Sequence, residues 1–269
     1  MINLTNYLKT IRQQGKRYFT LEQLISNLNL SKGAALIAIH RLKTRGDLIS
    51  PARGLYVMVP PEYQLQGSIP AEDLTPILMS YLQADYYVSV LSGAMYHGAT
   101  HQKPGRFQII SNKRIKRSLE FGQIKIDLIY KKSLADLPIK NIAVSTGYLR
   151  VATPELVAMD LLLYPTKSGG LNHITTVLSE LAEVLDGDKL VALAQISRTK
   201  IWIQRLGYIL EKIESMEPDK TQNTIDILAR YLSDKIKVFI PLAPEMPRIN
   251  FPHSKKWMII ENTSIESDL

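Results

Sequence analysis

The stretch from Thr20 to Met58 carries the densest structural punctuation in this 269-residue chain, and it narrows the possible folds more than any other part. Thr20-x-x-Gln23 has the form of a capping box, in which a hydroxyl takes an orphan backbone N–H and the amide reaches back. Leu21, Leu24, Ile25 and Leu28 supply the apolar stripe of the helix it opens. Asn29-Leu30 is a short turn, Ser31 is a second N-cap, and GAALIAIHRLKTR ends at Gly46, the glycine expected just past a helix. Upstream, Ile2, Leu4, Leu8 and Ile11 predict a first helix of about three turns that stops at Gly15. Downstream, Leu48-Ile49-Ser50 and Leu55-Tyr56-Val57-Met58-Val59 are β-prone runs separated by Pro51-Ala52-Arg53-Gly54, which suits a tight reversal. Three helices followed by a two-stranded ribbon are the elements of a winged helix-turn-helix, whose third helix enters the DNA major groove while the wing touches backbone or minor groove.

On that third helix Ala34, Ala35, Ala38, Ile39 and Leu42 are expected to face the preceding helix, their small side chains allowing close approach. The other face offers Lys32, Leu36, Ile37, His40, Arg41, Lys43 and Arg45. Groove entry requires a narrow positive rod with side chains long enough to reach phosphates and base edges. Arg41, Lys43 and Arg45 meet that requirement, with a merely solvated helix face as the alternative. Ser31 and Lys32 stand at the helix N-terminus, where backbone amides also favour phosphate. Arg53 at the wing tip and His40 complete the candidate DNA-binding set. Leu36 and Ile37 fit it badly: on a groove-facing helix they must meet thymine methyls or be covered by protein.

The charge distribution points the same way. The chain has 33 Lys and Arg against 25 Asp and Glu, a formal net charge of +8, which favours an anionic partner. Up to Pro70 there are nine basic residues against three acidic, and from His101 to Lys140 ten against three, so the remainder is net acidic. Within the second block Lys113, Arg114, Lys116 and Arg117 lie between two β-prone runs and form a secondary basic patch, able to bind phosphates or an acidic protein surface if it is more than a solvated loop.

PPEYQLQGSIPAED carries three prolines and a glycine without helical or strand periodicity and reads as a linker. The expected division is a winged helix-turn-helix over 1–62, a linker over 63–73 and a mixed α/β domain over 74–269, an α+β chain with a helical C-terminal part. In the last domain LTPILMSYL reads as helix, and Val90, Leu91, Ala94 and Met95 share a helical spacing that ends by Gly98. Strands are expected at 106–111, 121–130 and within NIAVSTGYLRVA. Thr153-Pro154 caps a further helix, with more at about 170–185, 188–196, 200–215 and 221–233.

Motifs for chemistry are scarce. There is no cysteine, so disulfides and thiolate sites are impossible and a reducing cytoplasm is the expected compartment. His97 and His101 have the i, i+4 spacing of a metal pair, but Gly98 interrupts the helix and no acidic ligand lies nearby, so no metal is expected. No phosphate loop, dinucleotide fingerprint or nucleophile elbow occurs, so no catalytic residue and no cofactor is assigned. No run approaches the roughly 20 apolar residues that cross a bilayer, and the N-terminus lacks the pattern of a signal peptide.

Several separated blocks, GLYVMVPPEY, YYVSVLSGAMYHGATHQKPGRFQII, ATPELVAMDLLLYPTKSGGLNHITTVLSELAEVLD, WIQRLGYILE and WMIIENTSIESDL, occur in an order that resembles the AbiEi family of bacterial type IV antitoxins. The resemblance implies an N-terminal domain that binds inverted repeats in its own promoter and represses the operon. It implies a C-terminal domain that counteracts an AbiEii-type, nucleotidyltransferase-like toxin, with or without direct contact, in phage abortive infection. Two alternatives stay open: an enzyme that covalently inactivates the toxin, and a winged helix that binds protein through Leu36 and Ile37 rather than DNA.

Overall fold

The computed structural model describes residues 4–100, 104–115, 118–233 and 235–265. It is mixed α/β, with a helical C-terminal part. Contacts divide the chain into two compact units. One comprises Met1–Tyr86, Gly105–Leu134 and Asn141–Arg150; the other comprises Tyr87–Pro104, Ala135–Lys140 and Val151–Leu269.

The first unit opens with α1 (Leu4–Gln13), β1 (Tyr18–Thr20), α2 (Leu21–Leu28), α3 (Lys32–Thr44), β2 (Leu48–Ala52) and β3 (Leu55–Met58). The capping box forms: Gln23 N donates to Thr20 Oγ1 at 3.2 Å and Thr20 N donates to Gln23 Oε1 at 2.9 Å. Ser31 Oγ accepts from Ala34 N at 3.2 Å, as an N-cap should. Strand β1 is an element that the local sequence pattern does not signal. It pairs antiparallel with β3, Tyr18 opposite Val57 and Thr20 opposite Leu55, so the ribbon is a three-stranded sheet of order β1-β3-β2. Phe19 drives this, being fully buried with its ring edge-on to Tyr7 and stacked on Tyr56. Around it Leu8, Ile11, Leu24, Ala35, Ile39, Leu42 and Leu48 close one core. The element order is compatible with a winged helix-turn-helix. Ala34 departs from expectation, since it is exposed. Successive helical residues point about 100° apart, so a stripe centred on Ala35, Ile39 and Leu42 leaves Ala34 at its edge.

The expected linker is folded. Pro61–Gln66 form a 3-10 helix ending at Gly67, and Ser68 and Ile69 are fully buried. Gln123 N donates to the Gln66 carbonyl at 2.8 Å, and Gly67 and Gly122 pack backbone against backbone, leaving no space for a side chain on Gly122. Proline and glycine here report a close tertiary approach rather than a free connection. Helix α4 (Ala71–Tyr81) follows, then β4 (Tyr86–Val88) and the short α5 (Val90–Met95). Next come β5 (Phe107–Ser111), β6 (Leu119–Phe121), β7 (Ile124–Tyr130), β8 (Ile139–Val144) and β9 (Gly147–Ala152). The strand expected over 121–130 is two strands, because Gly122-Gln123 turns β6 antiparallel onto β7. β5 and β7 run parallel, Ile109 opposite Leu128. Asp73 in the first turn of α4 is buried and accepts from Ser145 N at 2.9 Å, which fixes the turn between β8 and β9.

The second unit is mostly helical: α6 (Pro154–Leu163), α7 (Leu171–Leu181), α8 (Gly187–Ile196), α9 (Ile201–Leu210) and α10 (Pro218–Ser233). Its β part includes the parallel pairing of Val88 with Val151. Helix α6 is apolar nearly all round and buries every residue from Glu155 to Leu162, while α9 buries Trp202 to Leu210, as expected of helices at the centre of a core. Thr153 precedes α6 as expected but makes no side-chain cap bond. Its hydroxyl is buried without a partner, and Pro154, with its preset φ, starts the helix instead. A small sheet of β10 (Ile240–Pro241), β11 (His253–Ser254) and β12 (Ile259–Ile260) closes the unit in the order β10-β12-β11. The proline-rich stretch from Pro241 is tied down: Asn262 Nδ2 donates to the carbonyls of Ala243, Met246 and Pro247 at 2.8, 3.3 and 3.1 Å.

Candidate nucleic-acid interface

Helix α3 buries only Ala35, Ile39 and Leu42, which leaves the rest of its surface for contact. Lys32, His40, Arg41, Lys43 and Arg45 are all exposed, and Ser31 is exposed while it caps the helix. Arg41 and Lys43 lie in the last turn, where positive charge also complements the carbonyl end of the helix dipole. Arg45 Nε lies 3.2 Å from Asp47 Oδ2, with 67% of the arginine side chain still exposed. A pair this solvated contributes little by itself and leaves the guanidinium available to a phosphate. Leu36 and Ile37 are 42% and 58% exposed on the same helix, so the apolar component of this face is a structural fact.

Arg53 sits in the two-residue turn between β2 and β3, its side chain exposed. The turn backbone is held on two sides: Leu21 N donates to the Gly54 carbonyl at 2.9 Å, and the Tyr81 hydroxyl donates to the Arg53 carbonyl at 2.8 Å. Gly54 has φ +85°, and a Cβ on it would lie 2.9 Å from the Tyr81 hydroxyl oxygen, so glycine is required for both conformation and space. The turn presents the Arg53 side chain from a backbone held by two hydrogen bonds. Tyr81 carried no signal in the sequence, because its role depends on a contact 28 residues away.

The secondary basic patch is partly engaged. Lys113 Nζ donates to the Leu82 carbonyl at the end of α4 at 2.7 Å, and the Arg114 guanidinium lies over the Tyr130 ring, 4.4 Å from its centroid. Lys116 and Arg117 lie outside the described residues.

In the second unit the polar cluster is internal. Asp160 is fully buried and accepts from the Tyr87 and Ser89 hydroxyls, each at 2.9 Å. Burial, together with the Asp160 carboxylate, pushes the Tyr164 phenol up to about 12 and raises Tyr87 further. Val90, which follows Ser89, has φ +57°, a conformation costing a β-branched residue about 1–3 kcal/mol. The packed surroundings hold it there: Val90 is fully buried, and a Cβ on Gly93 would lie 2.8 Å from Val157. His97 Nε2 lies 2.7 Å from the Ala152 carbonyl, which can only accept, so this nitrogen carries the proton and is occupied. His101 lies outside the described residues. Among the described residues no group of three or more His, Asp or Glu is placed to hold a metal ion, and no helix is long and apolar enough to cross a membrane.

Comparison with known proteins bears on each unit differently. The RV2827C protein from Mycobacterium tuberculosis, known from its crystal structure, matches over 95% of this chain and 90% of that one, with a TM-score of 0.64 at 16% identity. That likeness shows a common fold. An antigenic nucleotidyltransferase-like protein from Paracoccidioides brasiliensis matches over 58% of this chain and 90% of that one, with 8% identity and a TM-score of 0.36, a level that carries no argument. No curated protein matches the chain. Residues 87–212 match the family model described as the AbiEi antitoxin C-terminal domain, beginning at the residue where the second unit begins. Residues 87–212 thus carry a domain of the AbiEi antitoxin C-terminal type.

Proposed function

We propose that this protein is the antitoxin of a type IV toxin–antitoxin pair and represses its own operon. Its N-terminal element binds inverted repeats in the promoter, and its C-terminal domain counteracts an AbiEii-type nucleotidyltransferase-like toxin. The observation that carries the DNA-binding half is the exposure of Lys32, His40, Arg41 and Lys43 on α3 and of Arg45 at its C-cap, together with that of Arg53 in the turn between β2 and β3. The antitoxin half rests on the family domain at residues 87–212. Phosphate contacts from these cations release counterions and give sequence-independent affinity, while the residues of α3 that reach base edges give specificity. On an inverted repeat two such helices sit about 34 Å apart, one turn of the duplex.

Footprinting of the upstream region of the gene tests the regulatory half. Protection of two half-sites one turn apart is expected, and an unprotected region at low salt overturns it. Co-expression with the adjacent toxin tests the other half. Growth is restored with the toxin's mass unchanged, whereas a mass increase dependent on this chain replaces the proposal with covalent inactivation.

The exposure of Leu36 and Ile37 favours a second reading, in which α3 also contacts protein. Leu36→Lys then abolishes partner capture while sparing promoter binding.

A further inference from the structure

Helices α1 and α3 of the first unit flank an open groove of about 700 Å³. That volume falls within the roughly 300–1,000 Å³ of small-molecule sites, which are largely apolar with a few convergent polar groups. The groove has this character. Leu4 and Leu8 of α1 and Leu42 of α3 supply apolar lining, while Arg41 in the last turn of α3 and Arg45 at its C-cap, four residues apart, add two cations to the lining. Thr5 stands on the α1 side. The lining contains no acidic residue; Asp47, outside it, pairs with Arg45 Nε at 3.2 Å in a solvated contact, so the lining itself carries positive charge only and suits an anion.

We infer that this groove is a binding site for an amphipathic organic anion, a carboxylate or phosphate monoester with an apolar body. The anionic head pairs with Arg41 and Arg45, whose fork geometry suits either group. The apolar body lies over the leucines and removes their surface from water. A head group alone lacks the second contribution and a neutral apolar molecule lacks the first. The site itself is independent of the DNA-binding proposal. Its regulatory consequence rests on that proposal: the same two arginines cannot hold an anion in the groove and a DNA phosphate together, so the ligand acts as an inducer.

Calorimetric titration of the full chain with decanoate, below its micelle-forming concentration and without DNA, tests the site. Wild type binds at one site. Arg41→Gln loses roughly tenfold in affinity, the order expected for one charge-assisted hydrogen bond. Thr5→Trp, which fills the groove from α1, loses at least about as much, with thermal melts confirming that both variants are folded. An absence of binding to wild type, or equal binding by Thr5→Trp, overturns the site. In a second arm, decanoate at saturating concentration releases bound promoter DNA from wild type but not from Thr5→Trp. Retention of DNA by saturated wild type overturns the regulatory consequence, and the DNA-free titration decides the site even where no DNA binds.

Discussion

The Tyr81 hydroxyl donates to the carbonyl of Arg53 at 2.8 Å, so the wing turn takes its position from a helix outside the N-terminal three-helix element. Arg53 keeps its side chain exposed while its backbone is held. Removing the hydroxyl therefore separates the placement of the wing from its charge.

Tyr81→Phe is expected to lose about 1 kcal/mol of stability, the net value of one hydrogen bond. Its affinity for promoter DNA falls while the dependence on salt stays as in wild type, because no cation has been removed. Denaturant titration and fluorescence anisotropy measure the two quantities. A changed salt slope in this variant contradicts the assignment of Tyr81 as a positioning residue.

Two glycines with opposite surroundings give a paired prediction. A Cβ on Gly207 of α9 would clash with the Trp257 ring, 2.5 Å or less from three of its carbons, whereas a Cβ on Gly33 of α3 meets nothing within 4 Å. Gly207→Ala is expected to destabilise by about 1–3 kcal/mol through overpacking. Gly33→Ala is expected to stabilise by about 0.5 kcal/mol through reduced backbone freedom in the unfolded chain. Thermal melts of the two variants on either side of wild type bear this out; a Gly207→Ala melt at or above that of wild type contradicts the packing of α9 on Trp257, and a lowered Gly33→Ala melt contradicts the open surroundings of Gly33.

The buried cluster around Asp160 gives an alkaline limit to stability. Tyr164 in the folded state titrates at about 12, above its ordinary value of 10.0, with burial the main cause and the Asp160 carboxylate the second. The folded state then holds a proton that the unfolded state releases as pH rises from 10.0 to about 12, so stability is full below that window and declines through it. Tyr164→Phe makes the decline shallower without abolishing it, since Tyr87 is raised by the same causes. Denaturant titrations across the window give the slopes, and identical slopes for wild type and Tyr164→Phe contradict the coupling.

The parts of the fold legible in the sequence are those decided within one turn of the chain. The box at Thr20 and Gln23, the cap at Ser31 and the helix spacing of Arg41 and Arg45 each depend on neighbours three or four residues apart. Strand β1 is not legible locally because the partner of its Tyr18, Val57, is far along the chain and Thr20 also serves as a helix cap. The segment 63–73 looked like a linker because composition reports local backbone freedom, whereas the approach of Gly67 to Gly122 is a tertiary event. Tyr81 and the groove beside Arg41 were invisible for the same reason. The basic tip was only half legible: counting charges says nothing of Lys113 donating to the Leu82 carbonyl or of Arg114 over Tyr130.

If cations of α3 and its C-cap displace counterions from duplex DNA, the salt dependence of binding reports it most directly. Affinity of the full chain for its own upstream region, measured against salt concentration, should fall steeply on logarithmic axes, by about 0.9 for each phosphate neutralised. The double variant Arg41→Ala, Arg45→Ala, which removes two exposed side chains from a folded helix, should lower that slope by about 1.8. A slope identical to that of wild type in the folded double variant contradicts DNA contact by α3.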